Sequence, residues 1–136
     1  MRLHHLLGSA ALALLLFVQA GCGGSGGMSE VTGTVTLDDK LLESGAISFI
    51  PVDGQSTTAG GEIKQGHYSV QVPPVAMKVS ISSPKVVGKK KLYDTPDSPT
   101  MDVTQEAVPA KYNEQTELQI DVKSGANKQD FKLQSK

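Results

Sequence analysis

The chain of 136 residues has no tryptophan, a single cysteine at Cys22 and a single arginine at Arg2. One cysteine excludes an internal disulfide, so whatever folds must be held by its apolar core. Without further arginines there is no planar fork to grip a phosphate or carboxylate in two places. Beyond His4 and His5 the only histidine is His67, which leaves little for acid–base or metal chemistry. The formal charge of −1 gives no bulk attraction to nucleic acid. The main apolar run, Leu6 to Ala20, falls short of the roughly 20 residues that a membrane-spanning helix needs.

What is present starts with the layout of an export signal. Met1 and Arg2 supply positive charge, Leu6 to Val18 an apolar core, and small residues follow. Ala20-Gly21-Cys22 resembles the bacterial lipobox, in which a cysteine is diacylglyceryl-modified, exposed by cleavage and then N-acylated, commonly with palmitate. The resemblance implies a cut between Gly21 and Cys22. Gln19 departs from the Leu usual three positions before the cysteine, and an ordinary cut after Ala20 is the competing reading. Each buried methylene contributes about 0.8 kcal/mol, so one acyl chain binds marginally and two or three hold essentially permanently. Gly23 stands where an Asp would resemble an inner-membrane retention signal, which favours the outer membrane, on its periplasmic or surface face.

Three segments are expected: a signal peptide over 1–21, the lipidated cysteine with a glycine-rich linker over 22–29, and a folded domain over 30–136. Gly23-Gly24-Ser25-Gly26-Gly27 samples most of the backbone map. Seven residues separate Cys22 from Glu30 and span at most ~25 Å. The domain would thus sit close above its own leaflet.

From Glu30 onward apolar residues recur with period two, the signature of strands with one buried face. Val31, Gly33, Val35 and Leu37 share one side, opposite Thr32, Thr34 and Thr36, before a turn at Asp38-Asp39-Lys40. Ile47 and Phe49 continue the pattern to Pro51, a weaker strand covers Thr57 to Ile63, and Tyr68, Val70 and Val72 run to Pro73-Pro74. Met77, Val79 and Ile81 alternate next. After an irregular segment from Pro84 to Asn113 come Leu118, Ile120 and Val122, then Phe131 and Leu133. Seven short strands without helical periodicity predict an all-β, antiparallel sandwich.

Val31-Thr32-Gly33-Thr34-Val35, the turn, Leu42 and Ala46-Ile47-Ser48-Phe49 resemble the opening of the carboxypeptidase regulatory-like domain. Gly66-His67-Tyr68 resembles its Gly-x-Tyr hairpin and Val72-Pro73-Pro74 its lead into the next strand. Asp39, Leu41 and Val75-Ala76-Met77 depart from the usual pattern. The resemblance implies a transthyretin-like Greek-key sandwich of about seven strands. The chain is more similar still to small predicted lipoproteins of planctomycete bacteria, through Pro84-Lys85 with Gly88-Lys89-Lys90, Val108 to Asn113, and Asn127 to Leu133. That likeness implies no activity.

Candidate chemistry is sparse. Hydroxyisourate hydrolases, which share the transthyretin-like fold, use several histidines and arginines and a Tyr-Arg-Gly-Ser tail, whereas this chain ends Leu133-Gln134-Ser135-Lys136. Ser82-Ser83-Pro84-Lys85 matches the Ser-x-x-Lys of penicillin-binding proteins in spelling only, because Pro84 prevents the helical turn that the chemistry needs. His67 reads as an outward hairpin residue. Asp94, Asp97 and Asp102 lack the spacing of an EF-hand, and Glu114 and Glu117 read as the polar flank of a strand. No catalytic residue, metal or cofactor is expected. Lys85, Lys89, Lys90 and Lys91, with Val86, Val87, Leu92 and Tyr93, mark an interaction loop for an acidic polymer, polysaccharide or envelope protein. The competing reading is a solvated connector neutralised by the acidic half from Asp94 to Glu106. Of five aromatics after residue 22, Tyr93 and Tyr112 fall outside the core phase and remain as sugar-stacking candidates.

The expectation is a lipid-anchored, non-catalytic envelope module. A polysaccharide or acidic-polymer binder is the first alternative, and a small envelope hydrolase the second.

Overall fold

A computed structural model describes residues 27–136. The signal segment, Gly21, Cys22 and the linker up to Gly26 lie outside the described residues. The strands are β1 (Ser29–Leu37), β2 (Lys40–Leu41), β3 (Ser44–Pro51), β4 (Ala59–Lys64), β5 (His67–Val72) and β6 (Ala76–Ser82). They continue with β7 (Pro84–Lys91), β8 (Thr100–Glu106), β9 (Gln119–Asp121), β10 (Ala126–Lys128) and β11 (Phe131–Leu133). A single 3₁₀ turn covers Ala110–Tyr112.

The fold is all-β, as the period-two pattern predicts. The main sheet runs β10-β1-β5-β4-β3-β6-β9, with β2 and β11 also on β1. It is antiparallel except where β1 meets β10 and β11 in parallel. After the Gln65-Gly66 turn β4 and β5 pair only at Lys64 and His67, so the sheet bends there and curls into a half-barrel. Its flanks close on one core.

Large residues oppose small or β-branched ones across the strands: Phe49 faces Ala59 and Val79, Ile47 faces Gly61 and Ile81, and Tyr68 faces Gly33. Phe49, Ile47, Ile63, Met77 and Ile81 are fully buried. Tyr68 joins the flanks, its ring 6.2 Å from Phe49 and 6.1 Å from Phe131. Tilted pairs of this kind add about 0.5–1.5 kcal/mol each beyond area burial.

The parallel edge of β1 shows how the last residues are held. β10 covers Glu30 to Thr32 and β11 covers Val35 to Leu37, which leaves Gly33 and Thr34 between them. Gln129 and Asp130 fill that gap. The Gln129 N–H donates to the Thr32 carbonyl at 2.8 Å, and the Thr34 N–H donates to Asp130 Oδ1 at 2.8 Å. The Tyr68 hydroxyl donates to the Gln129 carbonyl at 2.5 Å. Burial, with a smaller contribution from the Asp130 carboxylate, pushes the Tyr68 phenol well above its ordinary range. Asn127 closes the preceding turn, donating to the Lys123 carbonyl and accepting the Lys123 N–H.

The Thr34 N–H holds the Asp130 carboxyl below its ordinary value of 3.8. A carboxyl depressed in the folded state stabilises above the unfolded pKa, and that contribution is lost as pH falls through the folded one. Asp130→Asn keeps an acceptor at Oδ1 but cannot titrate. Urea midpoints measured from about pH 6 to about pH 2 are expected to fall less steeply on the acid side for the variant than for the parent. Parallel acid limbs would show that Asp130 is not coupled to folding.

Candidate functional site

The Lys-rich segment is not an irregular loop. β7 and β8 form a separate two-stranded ribbon, with pairs running from Pro84↔Glu106 to Lys91↔Thr100. This corrects the reading of Pro84 to Asn113 as an unstructured connection. Every residue of both strands is exposed. Lys85, Lys89, Lys90 and Lys91 all lie on β7, and Tyr93 sits at the tip with 65% of its surface exposed.

Strand alternation sorts the two faces. Lys90 pairs with Met101 and Gly88 with Val103, and an irregularity between Val86 and Gly88 adds Val87 to the same region. One face thus carries Met101, Val103, Lys85 and Lys90, and the other Lys89, Lys91, Asp102 and Thr104. The tip is ordered by Ser98, whose Oγ accepts the Tyr93 N–H at 2.7 Å.

The root is fixed by groups that the sequence did not single out. Ser83 is fully buried and its hydroxyl donates to the Ser44 carbonyl at 2.6 Å. Glu106 Oε1 accepts the Ser83 N–H at 2.6 Å and the Val108 N–H at 3.0 Å. Ser83 is therefore a clamp on the ribbon, while Ser82 and Lys85 of the Ser-x-x-Lys spelling lie on successive strands, β6 and β7, and not on one helical turn.

The registers also place the ribbon relative to the chain's entry. Ser29 is level with Val72, at the pole where β6 begins. Thr34, His67, Lys64 and Ser44 are level at the other pole, where Ala46 pairs with Ser82 at the end of β6. β7 starts two residues later. Seven residues of β6 put the ribbon's root about 20 Å from the pole where β1 enters.

The remaining candidates do not converge. His67 is exposed and borders a shallow depression of about 420 Å³ with Glu62, Lys64, Tyr68 and Ser69. Asp94 and Asp97 lie in the ribbon's tip and Asp102 on β8, while Glu114 and Glu117 are exposed. Among the described residues no three His, Cys, Asp or Glu side chains gather as metal ligands. No helix of the described residues is long and apolar enough to cross a membrane. Tyr112 is not a stacking platform: it is half-buried against the core, and its hydroxyl accepts the Gln134 N–H at 3.0 Å. The acidic half from Asp94 to Glu106 matches the four lysines in number, with Asp94, Asp97, Asp102 and Glu106, but not in close ion pairs. Lys89 stands directly opposite Asp102, yet among the described residues the one ion pair is Lys64 with Glu62 at 3.3 Å.

The class these features define is an all-β domain bearing an exposed two-stranded ribbon with one lysine-rich strand. No protein-family model matches the chain, and no curated protein matches it. Among solved structures it is similar to the crystal structure of a 9R-lipoxygenase from Cyanothece PCC8801, with 11% identity and a TM-score of 0.42. The match covers 79% of this chain and 16% of that one. A likeness at that level says nothing of what this chain does.

Proposed function

We propose that the protein is a lipid-anchored, non-catalytic module of the cell envelope, held in the outer membrane through Cys22 and serving an accessory or interaction role. The lipobox-like Ala20-Gly21-Cys22 supports the location. The observation that carries the interaction role is the fully exposed β7–β8 ribbon, rooted at the pole opposite the chain's entry. The ribbon's root thus lies at the far end of the domain from the point where the tether joins it. The order β6-β3-β4-β5, with the fourth strand back beside the first, supports the Greek-key arrangement implied by the carboxypeptidase regulatory-like resemblance.

Mass spectrometry of the mature N-terminal peptide tests the location. The expected result is a chain beginning at Cys22 that carries a diacylglyceryl group and an N-linked acyl chain. A chain beginning at Gly21 with a free thiol would overturn it.

A further inference from the structure

We infer that the β7 edge of the ribbon binds a carboxylate-bearing polysaccharide. This rests on the interaction role proposed above and is independent of the anchor. The first ground is charge. Lys85, Lys89, Lys90 and Lys91 line one strand with no acidic residue among them, over about 20 Å. None of their ammonium groups has a carboxylate within 4.0 Å, and only Lys91 meets a polar group, the Thr95 carbonyl at 3.4 Å. β7 thus presents lysines free of close ion pairs, while Asp94, Asp97, Asp102 and Glu106 elsewhere on the ribbon balance them in net charge.

The second ground is the form of the edge. Pro84 offers no N–H, the pairing is irregular between Val86 and Gly88, and lysines crowd the strand. Such features block the addition of a further strand. A ligand is therefore gripped by side chains and not by the backbone ladder. Lysines act as mobile point charges without a fixed fork. They suit carboxylates repeated along a flexible polymer better than one planar group.

Tyr93 decides between acidic polymers. It is the most exposed of the large apolar and aromatic residues, and its backbone N–H is pinned at the end of the lysine row. A ring held there offers a face for a sugar. An acidic polypeptide such as polyglutamate offers carboxylates but no ring-sized apolar face to lie on it.

The test uses the full chain in mild detergent with fluorescent polygalacturonate, neutral dextran and polyglutamate as probes. Polygalacturonate is expected to bind at low salt and to be released as ionic strength rises past about 0.3 M. The triple change Lys89→Gln, Lys90→Gln and Lys91→Gln is expected to weaken binding about tenfold, and Tyr93→Ala about threefold. Thermal melting should be unchanged in both, because all four side chains are exposed. No binding, equal binding of dextran, or full binding by the triple variant would overturn the inference. Preference for polyglutamate, or indifference to Tyr93→Ala, would overturn the sugar assignment. Detergent solution removes any need for the anchor, so an unmodified Cys22 would leave these outcomes readable.

Discussion

Gly33→Ala is expected to destabilise the domain by about 3 kcal/mol, although it adds one methyl group. Gly33 lies in the gap between the two parallel pairings of β1, directly beneath the Gln129 carbonyl. A Cβ at that position would stand 1.8 Å from Gln129 O and 2.6 Å from Gln129 C. Both are backbone atoms, so no side chain can swing aside to make room. Moving the turn would break the Gln129 bond to Thr32, the Tyr68 bond to Gln129 and the Thr34 bond to Asp130 together. Calorimetry is expected to show a melting temperature lower by about 10–15 °C. A drop of under about 3 °C would mean that the Gln129-Asp130 turn can lift without cost.

Much of this closure was open to reading in the sequence, but not its partners. Val31, Val35, Ile47, Phe49, Tyr68, Val70, Val72, Met77, Val79 and Ile81 are all in phase with period two, and all are buried. Periodicity reports that a face is covered. It does not report what covers it. The pairing of β1 with β10 and β11 joins residues almost a hundred positions apart, and no local pattern encodes that. Gly33 looked like an ordinary inward strand position for the same reason.

The ribbon is hard to read in the sequence for a different physical cause. Both faces of β7 and β8 are exposed, so no buried stripe is imposed on their composition. The irregularity between Val86 and Gly88 also breaks the two-residue phase. The signal that could have found it was the alternation Thr100-Met101-Asp102-Val103-Thr104, lost beside the Pro-rich tip. The lysine row was visible as composition, whereas its placement on one edge needed the register. Tyr112 misled because its neighbours are polar, while its ring lies against the core and its hydroxyl meets the C-terminal strand's exit. Asp38 and Asp39 were legible as a turn. Their left-handed backbone, with φ of 50° and 66°, was not, since Asp at that turn replaces the expected glycine.

The second large effect is expected at Cys22. An acylated cysteine gains about 0.8 kcal/mol for each methylene placed in the bilayer, which over two or three chains exceeds any reversible surface attraction. Among the described residues no helix is long and apolar enough to cross a membrane. The apolar residues exposed on the ribbon, Val86, Val87, Leu92, Met101 and Val103, are interspersed with lysines and acids along both strands. Cys22→Ser should therefore change the partition of the protein and leave its fold untouched.

The most direct measurement is fractionation of envelopes from cells expressing the parent chain or Cys22→Ser, with each washed in high salt and in carbonate. The account predicts the parent in the membrane fraction after both washes, and the variant absent from it, with any stable variant soluble and showing the same melting temperature as the detergent-extracted parent. Retention of Cys22→Ser on membranes through both washes, or release of the parent by salt alone, would contradict the lipid anchor.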